Sequence, residues 1–148
     1  MLLPTAADTW AFGRRLAAVL RAGDLLILIG PLGAGKTALA QGIGAGLEVR
    51  GNVVSPTFVI ARVHPAGRLP MVHVDAYRLG SLEEVDDLDL DVSIADSVTV
   101  VEWGSGLVER LADARLEIRV SRQPDSEIRE LGLVPVGGDW AERISALS

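Results

Sequence analysis

A chain of 148 residues, 49% of them hydrophobic, suits one domain built around a single core. The formal net charge of −6 argues against a protein that grips RNA or DNA by itself. Cysteine is absent, which excludes disulfides and thiolate metal sites.

The first expected element is an amphipathic helix from about Ala6 to Arg21, with Trp10, Leu16, Ala17 and Leu20 broadly spaced for one face and Gly23 able to end it. Asp24 to Ile29 then carries Leu25-Leu26-Ile27-Leu28-Ile29, an unbroken apolar strand of the kind buried on both faces of a sheet. Gly30-Pro31-Leu32-Gly33-Ala34-Gly35-Lys36-Thr37 follows at once and fits G-x-x-x-x-G-K-[ST], the phosphate-binding loop. From Lys36 to about Leu47 the pattern is helical, with Ala38, Leu39, Ala40 and Ile43 available to pack. Strand, glycine loop and helix in that order are the context the motif requires.

Lys36 is the only lysine in the chain; all other side-chain positive charge is arginine. Arginine replaces lysine on a solvated surface but poorly where a compact ammonium must sit between phosphates under a tight loop. Backbone N–H groups of the loop and the helix N-terminus add partial positive charge. Gly33, Ala34, Gly35, Lys36, Thr37 and Ala38 are therefore the expected nucleotide-binding run, and the expected ligand is a nucleoside triphosphate with Mg²⁺.

Further on, Asn52 to Thr57 reads as a loop, and Thr57 to Val63 alternates like a strand. Ala66-Gly67-Arg68 is a turn signal before a second short strand, Met71 to Asp75, so a hairpin is expected across it. Ser81 to about Leu88 reads as a short acidic helix, with Ser81 as N-cap and Glu84 completing a capping box. Val98 to Glu102 is another buried strand, Gly106 to Leu111 a helical turn, Leu116 to Val120 and roughly Arg129 to Val134 strands, and Trp140 to Leu147 a final helix. No leader-like pattern or bilayer-length apolar run stands out, so a soluble cytoplasmic protein without membrane partners is expected.

A phosphate loop alone leaves the metal half-held. Thr37 would give its hydroxyl to Mg²⁺, and an acid at the end of a neighbouring buried strand should complete the site. Asp75 and Glu102 both stand where an apolar strand exits, the ligand-facing edge of an open α/β sheet. One would orient a magnesium-bound water, and the other would either share the metal or polarise the attacking water; the sequence does not assign which does which. Ser55-Pro56-Thr57 lies where nucleotide switches place a hydroxyl that senses γ-phosphate and metal, although it also reads as an ordinary turn. Arg78 could reach a phosphate or a partner, and Trp103 could shelve the nucleotide or fill the core. His64 and His73 read as structural, with His73 half-buried on its strand. Glu83, Glu84, Asp86, Asp87, Asp89, Asp91 and Asp96 form an acidic run with no base among them. A solvated helix face is the ordinary reading of such a run, and a docking or switch surface for a basic partner the functional one.

Four function classes can be weighed on these residues. A standard GTPase is excluded, because its guanine-reading Asn-Lys-x-Asp needs a second lysine. A motor or transporter ATPase would end its acidic strand Asp-Glu, whereas Ala76 follows Asp75. A small-molecule kinase needs a cationic lid, for which Arg110, Arg115, Arg119 and Arg122 are candidates spread over strand-like sequence. A nucleotide-dependent binding module without useful turnover is the remaining alternative.

The pieces also resemble, in order, a known family of small bacterial ATPases, TsaE, over roughly Thr9 to Val120. Thr9-Trp10-Ala11-Phe12-Gly13-Arg14-Arg15-Leu16-Ala17 is similar to its T-x-x-L-G-x-x-L-A, and Leu32 to Thr37 to its loop. Ser55-Pro56-Thr57-Phe58, His73-Val74-Asp75-Ala76-Tyr77-Arg78-Leu79 and Val101-Glu102-Trp103 match its S-P-T-[YF], H-x-D-x-Y-R-L and V-E-W elements. The resemblance implies a single domain, residues 1–148, of phosphate-loop type with a mixed central sheet flanked by helices. It further implies ATP hydrolysis with Mg²⁺, slow when the chain acts alone, in service of TsaD and TsaB. Those subunits build threonylcarbamoyladenosine in the tRNA anticodon loop, so tRNA would be met only through the complex. By the match, Thr9 lies near the nucleotide, Thr57 is switch-like, and Lys36, Asp75 and Glu102 are catalytic. Two departures stand out. Pro31 occupies a position where the family usually has an acid, and Arg129 is only a possible substitute for a late Gly-Arg pair.

Overall fold

The computed structural model describes residues 1–31, 35–49, 61–64, 69–75, 96–102 and 114–147, and for 61–64, 74 and 75 the description is of the backbone alone. In chain order these form β1 (Leu2–Leu3), α1 (Ala6–Ala17), β2 (Leu25–Ile29), α2 (Lys36–Gly46), β3 (Ala61–His64), β4 (Met71–Asp75), β5 (Val98–Glu102), β6 (Arg115–Arg122), β7 (Arg129–Val136) and α3 (Trp140–Ser145). One seven-stranded sheet holds the strands in the order β1-β7-β6-β2-β5-β4-β3. Its four inner strands, β6, β2, β5 and β4, are parallel. Antiparallel partners flank them: β7 and then β1 on one side, β3 on the other.

The inner strands are apolar because both of their faces are covered. Leu25 to Leu28 are all buried, and so is every residue of β5. The hairpin expected across 66–68 is present as the β3–β4 pairing, Ala61 opposite Val74. The turn itself, residues 57–60 of the expected strand, the acidic helix at 81–88 and the helical turn at 106–111 lie outside the described residues. β1 was not expected; two residues are too short for any periodicity, and only the pairing of Leu2 with Glu130 reveals it.

Helix α1 begins at a capping box. Thr5 Oγ1 accepts from the Asp8 amide at 3.3 Å, and the Asp8 carboxylate accepts from the Thr5 amide at 3.0 Å. The helix ends at Ala17, short of the expected Arg21. Asp24 takes the Arg21 amide at 2.6 Å, which offers the backbone a turn in place of another helical bond. Gly23, at φ +89°, then donates to Ser97 O at 2.9 Å and leads into β2.

Trp10 does not face the core. It is 37% exposed, and the buried face of α1 is Thr9, Phe12, Gly13, Leu16 and Ala17. The reason is close helix packing. A Cβ on Gly13 would stand 2.5 Å from Leu39 O, and one on Gly42 would stand 2.0 Å from Trp10 O. Backbones this near leave room for glycine and not for an indole. Phe12, Leu16, Leu39, Ala40 and Ile43 then pack in one core with Leu26, Leu28, Val98, Val100, Leu116 and Ile118 of the sheet, and Trp140 of α3 joins them. Among the described residues, no helix is long and apolar enough to cross a membrane.

Candidate nucleotide site

Parallel pairing sends β2, β5 and β4 out of the sheet at one edge. Leu28 is in register with Glu102, and Glu102 with Asp75. The end of the loop-bearing strand and the two expected acids are thus neighbours across three adjacent strands, at the carboxyl edge where open α/β sheets bind ligands.

At the same edge Gly35 caps α2 with φ +110°, a conformation that side chains rarely adopt. Lys36 follows as the first helical residue. It is buried, and its Nζ donates to Gly30 O at 2.7 Å, across the loop that joins β2 to α2. No side chain caps α2, and its first turn holds no acid. Its leading N–H groups and the ammonium therefore concentrate positive charge at one mouth. Thr37 and Ala38 are half-buried in that first turn, while Pro31 is exposed. Gly33 and Ala34 lie outside the described residues, as do Ser55, Thr57, Tyr77, Arg78, Trp103, Arg110 and the acidic run from Glu83 to Asp91. Asp96 is exposed just ahead of β5.

Glu102 is 3% exposed and is paired with His73, whose Nε2 lies 3.0 Å from Glu102 Oε2. His73 is fully buried, not half-buried as its strand pattern suggested. An ionised carboxylate only accepts, so with Glu102 ionised Nε2 would be the donor of this contact. His73 and Asp75 share β4, two residues apart, and the β4–β5 pairing sets His73 diagonally opposite Glu102. Only the strand order could reveal this contact, since 29 residues separate the pair.

A second cation reaches this edge from the antiparallel side. Arg129 opens β7 opposite Arg122 at the end of β6. A Cβ on Gly35 would lie 3.0 Å from Arg129 Nε and 3.4 Å from its Cδ, so the arginine stem runs beside the head of α2. Its Nη1 donates to Glu127 O at 2.6 Å, and its buried Nε has no hydrogen-bond partner among the described residues. The late arginine that the sequence left open thus stands at the loop. Thr9 is buried on α1, where its hydroxyl donates to Thr5 O at 3.4 Å. Arg115, Arg119 and Arg122 lie along β6 and not in a lid.

The donors suit magnesium. They are hard oxygens, one from a hydroxyl in the first turn of α2 and carboxylates at the ends of β4 and β5. Magnesium ordinarily takes one or two protein oxygens and completes its shell with phosphate and water.

A central parallel strand, a glycine loop opening a helix with a buried lysine, and strand-end acids alongside define a phosphate-loop nucleotide-binding protein of mixed α/β architecture. Residues 3–131 match the family model described as "Threonylcarbamoyl adenosine biosynthesis protein TsaE". The chain belongs to this TsaE family. A Streptomyces coelicolor protein named tRNA threonylcarbamoyladenosine biosynthesis protein TsaE is 58% identical over 135 residues, covering 87% of this chain and 91% of that one. A Bacillus subtilis protein of the same name is 38% identical over 142 residues, covering 95% and 88%. A crystal structure of Bacillus subtilus YdiB superposes with a TM-score of 0.81 at 31% identity, covering 99% of this chain and 91% of that one.

Proposed function

We propose that this chain is the ATP-binding, ATP-hydrolysing accessory subunit of a tRNA threonylcarbamoyladenosine modification machinery. It works in the cytoplasm with TsaD- and TsaB-type subunits and meets tRNA only through them. Family membership supports the pathway. The observation that carries the nucleotide chemistry is the sole lysine, buried at the uncapped mouth of α2, with buried Glu102 in register beside that strand.

In this reading the N–H groups of residues 33–38 and the Lys36 ammonium bind the phosphate tail, with Thr9 and Thr57 near the nucleotide. Thr37, Asp75 and Glu102 would hold Mg²⁺, which supplies neutralisation of phosphate charge when bound. One of the two carboxylates accepts a hydrogen bond from the attacking water and aligns its oxygen on the γ-phosphorus. Water adds, the β–γ bridging oxygen leaves with ADP, and inorganic phosphate is released.

Phosphate release by the purified chain with ATP and Mg²⁺, alone and with partner subunits, tests this. Slow release that rises on adding the partners is expected. Phosphate found on an added small-molecule acceptor would instead mean a kinase, and normal ATP affinity with no release even with partners would mean a binding module.

A further inference from the structure

We infer that His73 is a positioning residue for Glu102, and that this buried imidazole sets how well the site uses magnesium nucleotide without itself binding the phosphates. The inference deepens the ATPase reading above and rests on it. Glu102 leaves β5 among buried neighbours: Val100 two residues earlier on its own face, Leu28 in register on β2, and His73 on β4. A carboxylate there has lost most of its water and needs fixed donors. His73 supplies one at 3.0 Å, from a side chain with 0% exposure. The reach follows from register. His73 pairs with Val100, so Glu102 is the diagonal neighbour on the same face, within range of two long side chains. The donor and the second acid, Asp75, ride on one strand, so β4 carries both a strand-end acid and the holder of the other acid.

Two polar substitutions separate orientation from packing. In His73→Gln the amide nitrogen lies near the place of Nε2 and still reaches Glu102; in His73→Asn it falls one methylene short. His73→Asn should lower kcat about 10–100-fold and raise the Mg²⁺ concentration for half-maximal nucleotide binding, read by calorimetry, by a similar factor. KM for ATP and nucleotide affinity without Mg²⁺ should move less than about threefold. His73→Gln should recover most of both losses. In a Glu102→Gln background, adding His73→Asn should cost less than about threefold more, because the two side chains act through one contact. Nitrogen NMR of the wild-type imidazole gives a readout that no variant's folding can obscure: Nε2 should carry the proton, and its signal should shift when Mg²⁺ is added to the nucleotide-loaded protein. An unprotonated Nε2, full multiplicative losses in the double variant, or variants equal to wild type in kcat and Mg²⁺ dependence would each overturn the inference while the ATPase reading stands. A wild-type protein that binds no magnesium nucleotide would overturn both.

Discussion

Lys36 and Glu102 divide the work at the residue scale. In the proposed site the ammonium would meet phosphate directly, and a charge-assisted hydrogen bond of this kind is worth about 1.5–3 kcal/mol. Lys36→Ala should therefore weaken ATP binding about 10–100-fold, measured by calorimetry with Mg²⁺. Glu102→Gln keeps the shape of the side chain and removes its charge. At saturating Mg²⁺, binding should stay within severalfold, while phosphate release falls by about 10²–10⁴. Equal hydrolysis by the variant and wild type would remove Glu102 from the chemistry. Arg129 differs from both, since it approaches the loop from an antiparallel strand and its stem fills the space beside Gly35.

The contact between α1 and α2 decides how the loop is held at the element scale. Gly42 and Gly13 let the two backbones touch, and a methyl group at Gly42 would stand 2.0 Å from a carbonyl oxygen that cannot swing away. Alanine is the better helix former by about 1 kcal/mol. Overpacking against a backbone costs about 1–3 kcal/mol or more, so the clash wins. Gly42→Ala should lower the melting temperature by about 4–10 °C, read by circular dichroism. An unchanged or raised melting temperature would mean the helices separate freely. Because α2 begins at the phosphate loop, the same substitution should also weaken nucleotide binding.

The whole molecule is closed by α3. Arg143 makes a two-pronged contact with Asp24, at 2.7 and 2.9 Å, donates to Val19 O at 3.0 Å and stacks 3.9 Å from the Trp140 ring. It also donates to Asp139, which Arg21 engages at 2.9 Å, so the chain's last helix is tied to the corner between α1 and β2. Arg143→Met would strand the largely buried Asp24 charge and should cost about 3–5 kcal/mol in urea unfolding. The hydrogen bond from Arg143 holds the Asp139 carboxyl below the usual carboxylate range. A lowered folded value means stability that is fully present above the unfolded pKa of about 3.9 and is lost as pH falls through the folded one. The gap in melting temperature between wild type and Asp139→Asn should thus stay level from neutral pH to about 5 and narrow below about 4. A gap that widens on acidification would contradict this placement.

Local pattern by itself determined the phosphate loop, the strands Met71–Asp75 and Val98–Glu102 to the residue, and the two acids at their ends. These follow from side-chain period and from a loop whose atoms are contiguous in the chain. Even the late strands were legible, although β6 and β7 each run two residues beyond the expected ends at the C-terminal side, where their pairing continues. Tertiary structure alone decided that β5 lies between β2 and β4, and hence that Glu102 sits beside the loop strand with Asp75 one strand further out. The same ordering buried His73 against Glu102, brought Arg129 to Gly35 and turned Trp10 outward. Each of these depends on which strands or helices are neighbours, and hydrophobic periodicity is the same for every order in which the strands could be laid side by side.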